Sequence, residues 1–459
     1  MSSRVVVNWL APYSCATAVT LLLSVSSVSG AQQPDESAGA PARDDVTDAE
    51  NEPDEADLDT DGSIDDASGS IEDATATRGW NFSGDVRTLY SYSEVDDANG
   101  TVQDDDLLQV RWRLAGTLGI TERLRVVARI AGICSTEHCD ANFSLDPEIP
   151  TSNGIADGDV TIDELFLHMF QTDRFNSAIG RLQTKFVARG GVFAKSLDRN
   201  DSSGSRVNWT DGFHGTLQVR RNWVSHLILQ YNSDEGASTV RRAPLDFSDD
   251  DTRTSYFVAW ENVEPRGLLL QRGLDISYLP KSLLVDGTVD GRREDYLAIV
   301  ARAAGRWPQR SQGRRLRLSA ELGYAPETQT RAAAGLAGDG EVDGWAWNVT
   351  ASFMDFLPRH SIGINYGRTD PGWLLSPQYG DNEELFEIRY LWRLNQRFAL
   401  DIRARWRKDI EQLVTADRKM EDFDFFVRFT WGFAVDRTIP APLLRRTGPS
   451  TANLFRPIQ

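Results

Sequence analysis

Hydrophobic and polar residues alternate with a period of two along most of the chain, from about residue 80 to residue 433. In the last such segment one parity is apolar and the other is mainly polar: Phe423, Phe425, Val427, Phe429, Trp431 and Phe433 against Asp424, Phe426, Arg428, Thr430 and Gly432. Successive side chains of a strand point to opposite faces, whereas a helical period of 3.6 would mix these two sets. The pattern therefore predicts β-strands that each have an apolar face.

Sixteen segments follow this alternation. They are 80–93, 107–120, 123–133, 158–171, 175–187, 211–220, 223–232, 253–262, 268–280, 294–304, 314–324, 344–356, 360–368, 384–394, 397–407 and 422–433. Their connections alternate in length: 121–122 and 221–222 are short, whereas 94–106 and 134–157 are long. Short turns at one end and long loops at the other predict an all-β fold, a transmembrane antiparallel β-barrel with periplasmic turns and extracellular loops.

A soluble β-sandwich or propeller would alternate in the same way, so the two faces must distinguish these folds. The apolar faces carry aromatic residues near their ends: Trp80, Trp345, Trp347, Tyr390, Trp392 and Trp431. Such girdles are typical of a lipid boundary. The opposite faces carry arginines at successive positions, which a dry core would not tolerate unpaired. Both features favour a membrane barrel around a water-filled lumen, although Arg272 and Arg302 interrupt the apolar face of their segments.

The first 77 residues differ from the rest of the chain. Residues 1–31 have one charge, a short apolar stretch and small residues before Ala31, which predicts a signal peptide; an uncleaved membrane anchor is the alternative. Residues 32–77 hold sixteen acids and one base, which predicts a disordered periplasmic segment. Within it, Asp57–Asp65 has the spacing of half a calcium-binding loop, but position twelve is Ser68, so a plain acidic linker is the other interpretation.

The net charge of −19 argues against a nucleic-acid-binding protein, which needs a basic surface. The alternation nevertheless places fourteen basic residues toward the lumen: Arg111, Arg113, Arg125, Arg129, Arg181, Lys185, Arg220, Arg315, Arg317, Arg389, Arg393, Arg403, Arg405 and Arg428. Six acids share that face: Asp85, Asp275, Glu321, Glu387, Asp401 and Asp424. Rings of arginine and lysine favour anions, so a net positive pore wall is expected. Structural pairing of these acids and bases is the alternative reading.

Two segments resemble known families. The last strand, ending Phe-Thr-Trp-Gly-Phe at Phe433, resembles the C-terminal assembly strand of bacterial outer-membrane proteins, although a tail of residues 434–459 follows here. The layout of residues 78–433 resembles the sixteen-stranded bacterial porins. Within that group, the segment Ser177–Phe186 (SAIGRLQTKF) resembles strand five of the phosphate-selective porin O/P family. The resemblance implies an outer-membrane location in a Gram-negative bacterium, insertion by the barrel assembly machinery, and a homotrimer.

In porins the third long loop folds into the lumen and narrows it. That resemblance assigns the loop at 188–210 this position, with six candidate constriction residues: Arg189, Lys195, Asp198, Arg199, Asp201 and Arg206. Gly190-Gly191 and Ser202–Ser205 permit tight backbone turns. A solvent-exposed surface loop is the alternative, because long connections usually lie on the surface.

Cys134 and Cys139 are an even pair in an exported loop, which predicts a disulfide; a metal pair with His138 is the alternative. No nucleophile elbow, zinc-protease or phosphate-loop motif occurs, so neither cofactor nor catalysis is expected. The prediction is a passive porin for small hydrophilic solutes, with a preference for anions and with outer-membrane lipid and lipopolysaccharide around it. The alternatives are a barrel enzyme of the lipase or protease type and a structural or export protein of the surface.

Overall fold

The computed structural model describes residues 79–96, 99–145, 155–200, 207–232, 245, 253–263, 268–286, 291–308, 314–376 and 378–438. The predictions for the signal peptide, for the acidic segment with its Asp57–Asp65 motif, and for residues 439–459 of the tail lie outside these residues. So do Asp201 and Arg206 of the predicted constriction set.

Sixteen long strands form the structure, as the alternation predicts. They are β1 (Gly79–Asp96), β2 (Val102–Thr121), β3 (Leu124–Ser135), β4 (Asp159–Phe170), β5 (Phe175–Leu182), β6 (Thr210–Arg220), β7 (Trp223–Asn232), β8 (Arg253–Val263), β9 (Leu269–Leu284), β10 (Arg293–Pro308), β11 (Arg315–Tyr324), β12 (Trp345–Leu357), β13 (His360–Thr369), β14 (Glu383–Arg393), β15 (Phe398–Asp409) and β16 (Glu421–Thr438). Two-residue strands at Asn142–Phe143, Ala188–Arg189 and Ala194–Lys195 lie in the long loops.

The sixteen strands close into one antiparallel barrel. Each strand pairs with its neighbours in sequence, and β1 pairs with β2 on one side and with β16 on the other. Gly79, at the start of β1, lies opposite both Gly119 and Thr438. Closure leaves no unpaired sheet edge, which is the condition for a sheet to stand in hydrocarbon. The predicted fold class and strand number are therefore confirmed.

The two faces of the sheet differ as the sequence predicts. Apolar side chains such as Leu118 (53% exposed) and Leu322 (51%) cover the outer face. Aromatic residues lie near the strand ends, for example Trp80 and Trp345, both more than 40% exposed. Glycines on this face lie beneath indole rings: a Cβ on Gly132 would stand 2.6 Å from the Trp112 side chain. Charged side chains are concentrated on the inner face, where most are buried.

Several predicted boundaries are wrong. β1 ends at Asp96 and β2 begins at Val102. The first connection is therefore residues 97–101 and not the long loop 94–106. β5 ends at Leu182 and not at residue 187, because the chain leaves the sheet there and enters the lumen. β16 continues past Phe433 to Thr438, since β1 offers five further residues to pair with.

Part of the barrel interior is an apolar core. Trp373, Leu374, Leu375 and Tyr379, from the connection between β13 and β14, pack there with Leu197 and with inward residues of β9, β10, β12 and β14. This connection, residues 370–382, is called loop 7 below. Among the described residues, no helix is both long and apolar enough to span a bilayer.

Candidate functional site

A group of seven arginines covers the inner face where the barrel closes, from β14 through β16 to β1 and β2. These residues, which we call the arginine wall, are Arg87, Arg111, Arg113, Arg389, Arg403, Arg405 and Arg428; all are at least 95% buried. Their spacing follows from strand alternation, because Arg403 and Arg405, like Arg111 and Arg113, stand two residues apart and so share a face. Sequence reasoning identifies six of the seven and misses Arg87.

The carboxylates that contact guanidinium groups of the wall include those of Asp85, Asp163, Asp401 and Asp424. Asp401 accepts hydrogen bonds from Arg389 at 2.6 Å and from Arg428 at 2.7 Å. Asp424 likewise accepts hydrogen bonds from Arg403 and Arg405. Each of these two carboxylates is therefore shared by two cations.

The other two carboxylates lie at the β1–β4 side of the wall. Asp85 lies 2.9 Å from Arg111 and 3.5 Å from Arg87. Asp163 lies 3.2 Å from Arg113 and also binds Arg129 of β3, which in turn contacts Glu164 at 3.1 Å. Asp163 and Glu164 are consecutive residues, yet both are buried, because a register shift in β4 occurs opposite Arg129 and Ile130. A bulge of this kind breaks strict alternation, so a period-two argument finds neither acid.

The connection between β5 and β6 is called loop 3 below, and its described residues 183–200 and 207–209 fold into the barrel. Val192, Phe193 and Ala194 are fully buried. The inner faces of β11 to β13 accommodate it because their residues are small. The hydroxyl of Ser352 donates to the Gly190 carbonyl, and a Cβ on Gly363 would stand 2.7 Å from Val192. The exposed-loop alternative is therefore wrong for residues 186–200.

The charged residues of loop 3 bind the barrel wall. Lys195 and Glu387 of β14, both fully buried, form an ion pair at 2.7 Å, and Asp198 binds Arg302 of β10 at 3.0 Å. Arg199 donates to Gln230 of β7 at 2.7 Å. Arg189 is held through its backbone N–H, which donates to Gln271. These four predicted constriction residues thus act first as anchors of the loop.

Burial changes the acid–base behaviour of Lys195, which lies in loop 3 and outside the spanning strands. Loss of hydration lowers the pKa of its ammonium group to about 7, although the neighbouring Glu387 carboxylate acts in the opposite direction. Arg403 and Arg405 add to the lowering by like-charge repulsion. The Tyr379 ring of loop 7 lies 5.5 Å from the ammonium nitrogen.

Loop 7 holds loop 3 from the long-loop end of the barrel. The Trp373 indole N–H donates to the Leu197 carbonyl at 2.8 Å, and the Ser196 N–H donates to Gln378 at 2.5 Å. The ring of Trp373 lies on Gly323, where a Cβ would approach it to 2.6 Å. The sequence predicts residues 369–383 as a long outer loop and gives no sign that it folds inward.

Not every predicted lumen residue lies on the inner face. Arg125, Arg129 and Arg317 do, but Arg181 does not: it pairs in register with Leu165, which is 50% exposed on the outer wall. There it binds Asp211 at 2.9 Å. Lys185 lies beyond the end of β5, in loop 3. The lumen assignment of Arg181 is wrong because its parity in β5 is that of the exposed Ile179. Lys185 forms a bridge with Asn200 within loop 3.

Arg272 and Arg302 have different positions, although both interrupt the predicted apolar faces. Arg272 is exposed on the outer face and donates to Asn262 at 2.7 Å. Arg302 is inward and buried among Asp198, Asp275 and Glu321. Its assignment to an apolar face is wrong, since the even-numbered residues of β10 face the lumen.

The buried charged side chains are nearly balanced in sign. Twelve Arg or Lys side chains and eleven Asp or Glu side chains are buried among the described residues. The positive charge is local instead, and it lies on the arginine wall. Carboxylates outnumber cations elsewhere, as around Arg302.

Cys134 and Cys139 form a disulfide at the end of β3, with their Cα atoms 4.5 Å apart. Within the described ranges, no group of three His, Cys, Asp or Glu residues is arranged to hold a metal ion.

No protein-family model and no curated protein matches the sequence. Among solved structures, OprB of Pseudomonas putida superposes with a TM-score of 0.52 at 10% identity, over 77% of this chain and 94% of that chain. The anion-selective porin of Comamonas acidovorans follows with 0.47 at 12%, over 77% and 99%. OccK2 of Pseudomonas aeruginosa, in complex with glucuronate, has 0.47 at 11%, over 78% and 99%. The chain therefore has the fold of the sixteen-stranded outer-membrane porins.

Proposed function

We propose that the protein is an outer-membrane porin, a passive and non-catalytic channel for small hydrophilic solutes that prefers anions. The observation that carries this proposal is the arginine wall, a group of seven buried arginines on the inner face of a closed barrel, in which pairs of guanidinium groups share one carboxylate. Arginine stays charged at every relevant pH, and the low dielectric constant of the surrounding wall strengthens its field.

Selectivity follows from the placement of the charges. Loop 3 covers the inner faces of β11 to β13 and is anchored by its own ion pairs, so we assign the selectivity to the arginine wall. An anion that enters meets several guanidinium groups, each of which shares its carboxylate with a neighbour. Attraction that is spread over several weak sites favours entry without permanent trapping, as conduction requires.

The test is the reversal potential of single channels in a planar bilayer under a KCl gradient. We expect the sign that corresponds to chloride permeability above potassium permeability. Equal or greater permeability for potassium would refute the anion preference. Absence of any conductance from a correctly folded barrel would refute the proposed channel function and favour a structural or catalytic role.

We also propose a homotrimer in the outer membrane, inserted by the barrel assembly machinery and surrounded by lipid and lipopolysaccharide. The outer face supports this environment, because it is apolar across the strands and carries aromatic residues near their ends. Native mass spectrometry of detergent-extracted protein distinguishes a trimer from a monomer.

A further inference from the structure

Phe426 is a fully buried aromatic residue at the centre of the arginine wall. It lies on the inner face of β16, directly opposite Arg403 of β15 and Ser91 of β1. Three guanidinium groups stand over its ring, with Cζ-to-centroid distances of 4.2 Å for Arg403, 5.3 Å for Arg428 and 5.9 Å for Arg389. Three cations within 6 Å of one ring need a physical explanation, because like charges repel.

An aromatic face attracts a cation through its quadrupole but carries no formal charge. A carboxylate at the same position would also hold the three arginines, yet it would cancel one positive charge of the wall. Phe426 therefore gathers the guanidinium groups and leaves their net charge in place. Ordinary core packing, in which any apolar side chain of similar size would serve, is the competing explanation.

The hydrogen bonds of Arg403 and Arg428 agree with this function. Arg403 binds Asp424 through Nη2, and Arg428 binds Asp401 through Nη2. Within the described part of the chain, Nε and Nη1 of both residues have no acceptor. Both guanidinium groups are thus held by one carboxylate contact and by the ring.

We propose that Phe426 is the positioning residue of the arginine wall and that its aromatic ring sets the anion selectivity of the channel. The inference rests on the proposed function, since it assigns a residue to the selectivity proposed above. The ring fixes the spacing of Arg389, Arg403 and Arg428.

The experiment compares reversal potentials of the wild type, Phe426→Leu and Phe426→Tyr in the same KCl gradient. We expect Phe426→Leu, which keeps an apolar side chain but removes the ring, to lower the ratio of chloride to potassium permeability about threefold. Phe426→Tyr keeps the ring and retains the wild-type ratio. The matched control is Phe429→Leu, on the outer face of the same strand and 38% exposed, which leaves the ratio unchanged.

A second measurement does not depend on conductance. Phenylglyoxal modifies arginine, and mass spectrometry of the folded barrel gives the rate at Arg403 and Arg428. Loss of the ring should increase both rates in Phe426→Leu, and Phe426→Met provides the same comparison if the leucine variant does not insert.

The outcomes separate the two proposals. A wild-type channel without anion preference overturns the proposed selectivity and the inference with it. An anion-selective wild type whose ratio and phenylglyoxal rates are unchanged in Phe426→Leu overturns the inference alone. The same holds if Phe426→Tyr loses selectivity as fully as Phe426→Leu, because packing and not the ring would then be decisive.

Discussion

At the scale of single residues, Lys195 links the packing of loop 3 to pH. The pKa of its ammonium group is about 7 in the buried position and about 10.5 when the side chain is free in water. Between these pH values Lys195 binds more protons when loop 3 is released from the barrel wall than when the loop is packed against it. A rise in pH from 7 toward 10.5 therefore stabilises the packed loop. Below pH 7 Lys195 is charged whether loop 3 is packed or released, so its titration no longer changes the stability of the packed loop.

This gives a prediction for channel fluctuations. We expect wild-type channels to show fewer loop-dependent closures or conductance steps per second as the pH rises from 7 to 10, with little change from 6 to 7. Lys195→Met, which cannot bind a proton, loses this component of the pH dependence. Single-channel recording across that pH range is the measurement.

Lys195→Arg is the matched control, because arginine keeps its charge over the whole range and can still reach Glu387. Its fluctuations should also lack the component between pH 7 and 10. If both variants keep the wild-type pH profile, a group other than Lys195 is responsible.

At the scale of elements, loop 3 and loop 7 form one packed unit inside the barrel. Trp373 joins them, since its ring packs on Gly323 and its indole N–H donates to Leu197. We expect Trp373→Ala to lower the free energy of unfolding by about 3 kcal/mol, the usual cost of removing a buried aromatic side chain. Urea unfolding followed by circular dichroism measures the loss, and loop 3 should become more sensitive to protease.

The control for this variant is Trp345→Ala, which removes the same side chain from the outer face, where 46% of it is exposed. It has no contact with loop 3 to lose. Equal protease sensitivity of loop 3 in the two variants would show that Trp373 does not hold the loop.

The difference between the two loops shows what a sequence can predict. Alternation depends on neighbouring residues, so it identifies the sixteen strands and six arginines of the wall. The inward path of loop 7 depends on Gly323 and Leu197, which are distant in sequence. The paired burial of Asp163 and Glu164 depends on a bulge. Arg181 lies within β5 but shares the parity of the exposed Ile179, so it belongs to the outer face. The wrong predictions for loop 7 and for the two acids arise where long-range packing or a bulge overrides the period-two pattern of neighbouring residues.

At the scale of the whole molecule, the barrel depends on the pairing of its first and last strands. The sequence pattern ends the barrel at Phe433, in line with the resemblance to a terminal aromatic residue. In the structure β16 continues, and Ala434 to Thr438 pair with Ser83 to Gly79. These residues complete the closure at the short-turn end, where their backbone groups would otherwise leave β1 unpaired on one side.

A chain that ends at Phe433 should therefore form a weaker barrel than a chain that ends at Thr438. The five lost residue pairs remove several backbone hydrogen bonds, each worth about 1 kcal/mol net in water and more in hydrocarbon. We expect the urea midpoint of the shorter variant to fall clearly, while the longer variant serves as its control. Identical midpoints would mean that pairing up to Phe433 is enough to close the barrel, and that the last five residues of β16 contribute no stability.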